Sequence, residues 1–250
     1  MIILNSMTYK EIYNEIAEVS YKIKIKQECL KKKVIRKFKR EKQFPAYEII
    51  NYKIPATNNE YIIFFYAENY SCIESPYVDS FCIAFNKTAR NRVIIRWVYG
   101  GYQHPNNTQI QDVLQLHIYT SHFLQRYNER LLKNPMLSAN EIMCRFIIRN
   151  RVATPITITE EINRNIAKYS NKVMQGFSVD DGFCFTLCGI QTSNSNDLAG
   201  TDNVEALLFL YTTFMKESDM SSSQQQEIQK SSNEIWELFI NKHEYIHNNQ

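Results

Sequence analysis

Four residues beyond a strand-like stretch have the types and spacing of a proton-transfer and phosphate site: His122, Arg126, Glu129 and Arg130. At about 100° per residue they fall within roughly a third of a helix circumference. Phe123, Tyr127 and Leu131 point elsewhere, towards a core. Thr120 or Ser121 would cap this helix, which puts His122 in its first turn. The positive end of the helix dipole disfavours an imidazolium there, so a neutral imidazole is available as a general base. Arg126 and Arg130 follow at one-turn intervals, and guanidiniums take phosphate oxygens bidentately. Such a set suits metal-independent cleavage of RNA through its 2′-hydroxyl. A base takes the hydroxyl proton, cations stabilise the phosphorane charge, and an acid protonates the leaving 5′-oxygen. Tyr119, His117 and Glu129 are the candidates for the second proton transfer. The competing reading is an amphipathic helix whose charges pair locally, Glu129 with Arg126 or Lys133.

Three further groups of cations could contact a polyanion. Between Lys22 and Lys42 stand eleven Lys/Arg against Glu28 and Glu41, with Lys31, Lys32, Lys33 and Arg36 at the centre. From Ser80 to Gln111 there is no acidic residue, while Lys87, Arg90, Arg92 and Arg96 stand in the same stretch as Trp97, Tyr99 and Tyr102. A basic and aromatic sheet face can hold single-stranded nucleic acid by stacking and phosphate contact. Arg145 and Arg149 add cations on a second helix. For each group the alternative is a solvated charged face.

The elements that must position these residues can be read from periodicity. Thr8-x-x-Glu11 is a capping box, and Ile12, Ile16, Val19 and Ile23 form an apolar stripe behind it. The pattern resumes at Leu30, Val34, Ile35 and Phe38, which predicts one helix from about Tyr9 to Arg40 with a candidate break near Ile25. Strands are predicted at Tyr47–Ile54, Tyr61–Ala67, Phe81–Asn86, Arg92–Tyr99 and Leu114–Tyr119, with Gly100-Gly101 following the fourth. A second capping box, Ser138-x-x-Glu141, starts the second helix of the pair, and Pro155 closes it. Thr157–Ala167 reads as a short helix. Val173–Val179 and Gly182–Ile190 flank Asp180-Asp181-Gly182, a hairpin signal, and turn chemistry accounts for both aspartates. Val204–Met215 reads as a buried strand, Ser221–Gln226 as a loose polar stretch, and Ile228–His243 as a terminal amphipathic helix.

Strands in runs, with helices in separate runs, predict an α+β fold. Its sheet is mostly antiparallel, with a helix pair packed on it, a long N-terminal helix and a C-terminal helix. The expected division is 1–42, a basic helical extension; 43–215, the α+β core; and 216–250, the C-terminal helix.

Within that core, T-x-H-x-x-x-R-x-x-E-R stands as Thr120, His122, Arg126, Glu129 and Arg130, followed by S-x-x-E-I at Ser138–Ile142. This resembles the RelE/BrnT-type toxin-nuclease superfamily, closest to its domains that open H-A-x-x-R-x-x-E-R-G-I-S. The similarity covers about Leu114–Met215, less than half the chain. It implies a compact α+β RNA-cleaving or RNA-binding fold and a small antitoxin partner. It nominates His122, Arg126 and Arg130, with Glu129 orienting Arg126. The chain departs from the family in length, in the strands and basic helix that precede the helix pair, and in LLKNPML where the family has a short Gly-Ile turn.

Composition narrows the classes that remain. The 250 residues, 44% hydrophobic and 13% aromatic, are enough for a sizeable core, and six glycines and six prolines leave little room for long linkers. The six cysteines lack zinc-site or disulfide-framework spacing, which points to buried free thiols and a cytoplasmic protein. No apolar run suits a signal peptide or a membrane span. No P-loop, GxGxxG, GxSxG or HExxH occurs, so no cofactor or metal is implied. Two functions are left. One is a nucleic-acid-acting protein, RNA ahead of DNA, working as a toxin-type RNase through His122 with a small protein partner or inhibitor. The other is a non-catalytic nucleic-acid- or protein-binding protein of a mobile element or phage.

Overall fold

The Thr8–Glu11 capping box forms in both directions, and it starts helix α1 (Tyr9–Phe38). α1 runs 30 residues without the break near Ile25. The computed structural model describes residues 3, 7–57, 59–84, 93–103, 110–163, 174–193 and 203–247. Over these the chain is α+β, with mostly antiparallel strands and four α-helices that include the N-terminal and C-terminal ones. It divides into two compact units. The first holds Met1–Ser121 with Ile190–Leu208, and the second holds His122–Gly189 with Phe209–Gln250.

In the first unit five strands pair in chain order: β1 (Ala46–Lys53), β2 (Glu60–Ala67), β3 (Tyr77–Ala84), β4 (Val93–Gln103) and β5 (Ile110–Tyr119). Each neighbouring pair is antiparallel. Gly100-Gly101 lies inside β4 and does not follow it, because Gly100 faces Val113 and leaves room for the Gln115 side chain. β2 is buried along almost its whole length, so both of its faces are covered. α1 falls within this unit, and its Ile12, Ile16, Val19, Ile23, Val34 and Phe38 are all buried.

In the second unit the strand order is β9, β8, β7, β6: β9 (Asn203–Lys216), β8 (Gly182–Ser193), β7 (Met174–Val179) and β6 (Ala153–Thr157). β8 and β9 each carry residues of both units. Helix α2 (Ser121–Tyr127) continues into a wide π-type turn over Asn128–Leu132 that Lys133 closes in the left-handed conformation. α3 (Ala139–Arg149) starts on the second capping box. The pair packs through aromatic edges, Phe123 on Tyr211 and Phe214, and Tyr127 on Phe146 and Phe214.

Three elements differ from the periodicity reading. Pro155 lies within β6, an end strand of this unit, where a missing N–H is tolerated. Residues 158–163 form no helix; Asn163 N–H bonds Thr159 O in a single turn, and residues 164–167 lie outside the described residues. The polar stretch from Ser221 opens helix α4 (Ser222–His247), because Ser221 and Gln224 exchange the hydrogen bonds of a third capping box. The Val179–Gly182 hairpin forms around Asp180-Asp181. Gly182 is needed there: its φ is 146°, and a Cβ would meet the Met215 carbonyl at 2.3 Å.

Candidate nucleic-acid interface

α1 positions the first basic group. Its apolar stripe faces the strands of its unit, so the intervening cations turn outward. Lys32, Lys33 and Arg36 are exposed and Lys31 is half-buried. None of the four makes an ion pair or hydrogen bond with another described residue. Their neighbours on the helix are engaged: Lys22 with Glu18 at 3.9 Å, Lys37 with Glu48, Lys39 with Glu74 at 2.5 Å, and Lys26 over the Tyr52 ring. Lys32 and Arg36 stand one turn apart, about 6 Å along the axis, with no acid between them. Like charges at that spacing repel by ~0.2–0.5 kcal/mol. The negative end of the helix dipole favours cations in the last turn only, so it does not account for Lys31, Lys32 and Lys33.

The arginine of β4 behaves differently. Alternation puts Trp97 and Tyr99 on one face and Arg96 on the other. The aromatic face is the one that packs under α1, since Gln27 donates to Ser80 and Ser80 lies beside Trp97 in register. On the opposite face Arg96 is clamped by Asp79 at 2.7 Å, and Tyr77 bonds the same carboxylate. His117 is the register partner of Arg96, and Tyr119 lies on this face too. Both are buried, Tyr119 to 1% exposure. Burial, then the Arg96 charge, pushes the His117 pKa down to about 3. Arg96 therefore sits away from the aromatic rings that the sequence interleaves with it. Lys87, Arg90 and Arg92 lie outside the described residues.

The helix pair of the second unit places the remaining candidates. His122 is exposed on the first turn of α2. Arg126 pairs with Glu129 at 3.1 Å. Gln125, then Arg126, hold the Glu129 carboxyl below its usual value. Arg130 donates to the Phe214 carbonyl. His122 and Arg126 lie on α2, Glu129 and Arg130 lie in the π-type turn that follows it, and the two arginines are both engaged. Tyr119 belongs to the other unit.

Arg145 is exposed on α3. Arg149 reaches Asp181 with Nε at 2.9 Å and Nη2 at 2.5 Å. Asp181 also accepts from Tyr127 at 2.5 Å and from Asn150 at 3.0 Å, and its own N–H donates to Asn150. Burial works to raise the Asp181 pKa, but these donors outweigh it and hold the carboxyl low. Asp181 thus ties the β7–β8 hairpin to α2 and α3, a role that Asp-Asp-Gly turn chemistry does not reveal.

Among the described residues each unit carries a groove. That of the second unit, about 800 Å³, is lined by Asp180, Glu217, Glu234 and Glu237, with Lys230 the cation among them, which suits a polyanion poorly. That of the first unit, about 440 Å³, lies between α1 and β3–β4 and is lined by Tyr21, Lys24, Gln27, Trp97 and Tyr99. No group of three or more His, Cys, Asp or Glu among the described residues could hold a metal ion. No helix of the described residues is long and apolar enough to cross a membrane.

No family model, curated protein or solved structure matches the chain. Its functional reading rests on its own geometry.

Proposed function

We propose that the protein binds nucleic acid without catalysis, through the outward basic face of α1. The observation that carries this is the set Lys32, Lys33 and Arg36, which has no partner among the described residues and stands with Arg36 four and three residues from the two lysines, the spacing at which like charges repel. A polyanion relieves that repulsion and releases its counterions on binding. RNA is placed ahead of DNA, as the resemblance of the helix pair to toxin nucleases suggests. The six free cysteines suit a reducing, cytoplasmic setting. The test is retention of labelled single-stranded RNA and DNA by the protein and by a variant carrying Lys32→Glu, Lys33→Glu and Arg36→Glu. Retention by the protein and its loss in the variant support the reading. Equal retention by both excludes it.

A second reading keeps the toxin-type RNase, with His122 as base, Arg126 and Arg130 as phosphate partners and Glu129 orienting Arg126. It is favoured by His122 standing exposed near the Arg126–Glu129 pair. It needs Arg130 to leave the Phe214 carbonyl, and it finds its second proton donor elsewhere than in buried Tyr119. Cleavage of RNA in EDTA that disappears in His122→Ala would establish it over the binding reading.

A further inference from the structure

We propose that the groove between α1 and β3–β4 is a stacking subsite for an unpaired nucleobase, so that the protein prefers single-stranded over duplex nucleic acid. The inference rests on the α1 reading and adds the part of the ligand that α1 alone does not distinguish. Three aromatic side chains converge on the groove from two elements: Tyr21 from α1, and Trp97 and Tyr99 from β4. Tyr21 is 70% exposed and Tyr99 is 67% exposed. Trp97 is half-buried and held edge-on by the Tyr61 ring at 6.1 Å, which fixes the indole plane. A single base needs a rigid π-face, and any base has one to offer in return.

The polar groups suit the same ligand. The Gln27 amide donates to Ser80 Oγ at 3.2 Å, and this bond fixes its plane at the groove. That bond uses one N–H and leaves the second N–H and the carbonyl oxygen for the edge of a base, which presents a donor beside an acceptor. The charge of Asp79, which also lines the groove, is already neutralised by Arg96 on the far face. Lys24 lines the groove as well, and Lys31 follows it seven residues on, within about 20° of the same helix stripe and ~10 Å along the axis. A strand whose base enters the groove therefore has one cation in the groove and a second further along α1 for its phosphates. The volume, about 440 Å³, lies in the range of small-ligand sites. A duplex cannot use the groove, because its bases are stacked on one another and present only edges.

The test uses the full chain with Trp236→Phe, so that Trp97 is the remaining indole. The probes are a short oligouridylate, whose bases are unstacked, and a duplex RNA of equal length. The expected result is quenching of Trp97 by oligouridylate but not by the duplex. Tyr21→Ala and Tyr99→Ala should weaken oligouridylate binding by about tenfold each and leave duplex binding unchanged. Both side chains are exposed, and unchanged melting temperatures verify that the variants fold. Equal affinity of wild type and variants for oligouridylate, with no quenching, overturns the groove and leaves the α1 reading standing. Binding of neither probe by the parent protein overturns both.

Discussion

Three cations of α1 and three of the helix pair look alike in the sequence and differ in what they do. Lys32, Lys33 and Arg36 face solvent, with no partner among the described residues. Arg126, Arg130 and Arg149 each meet an acceptor within their own unit: Glu129, the Phe214 carbonyl and Asp181. A charge already met by a carboxylate holds a fold together, while one left in water is available to a ligand. Spacing along a helix shows where charge accumulates. Only packing shows whether it is already engaged.

The contrast breaks most visibly at Asp181. Asp181→Ala strips the buried Tyr127 hydroxyl and the Asn150 amide of their acceptor, and it should destabilise the protein by about 3 kcal/mol. Arg149→Ala should cost less, about 1 kcal/mol, because the guanidinium side chain is 51% exposed and water takes over its bonds. Chemical denaturation of both variants checks the order. If the two cost the same, the ion pair and not the buried network dominates.

The buried face of the first unit gives the next effect. His117 is held neutral, with its pKa pushed down to about 3, whereas the unfolded chain titrates near 6.5. The unfolded state takes up the proton first, so this contribution is complete above about pH 6.5 and is lost progressively as pH falls towards 3. Stability at pH 5 should be about 2 kcal/mol below that at pH 7 from this residue. Unfolding curves of the protein and of His117→Asn at the two pH values isolate the term. The pH difference should shrink in the variant.

Much of this architecture was legible in advance, and the reason is that its signals are local. Thr8–Glu11 and Ser138–Glu141 each carry both halves of a cap within four residues, and alternation along Leu114, Leu116 and Ile118 needs only its own strand. The third cap, Ser221–Gln224, was equally local and is obscured by the run of polar residues around it. What was not legible depends on distant partners. Arg149 meets Asp181 32 residues away, Arg96 meets Asp79 17 residues away, and Arg130 meets a carbonyl 84 residues away. The groove was half legible: Trp97 and Tyr99 show as aromatics within a basic stretch. Tyr21, Lys24 and Gln27 join them only when α1 is laid along the strands.

The smallest stability effect belongs to the exposed set. Replacing Lys32, Lys33 and Arg36 together by Gln should change stability by no more than ~0.5 kcal/mol, on the stabilising side, since it removes repulsion and breaks no bond. Thermal melting of this variant at low salt checks the sign.

That same variant provides the most direct measurement of the central claim. The affinity for single-stranded RNA is followed against salt concentration for the wild type, for the α1 triple variant, and for Arg126→Gln with Arg130→Gln. If α1 carries the free charge, the logarithmic salt slope becomes shallower by about 2 in the triple variant, ~0.7 for each phosphate no longer neutralised, and stays at the wild-type value in the double variant. A slope that changes in the double variant and not in the triple would place the nucleic acid on the helix pair and contradict the account.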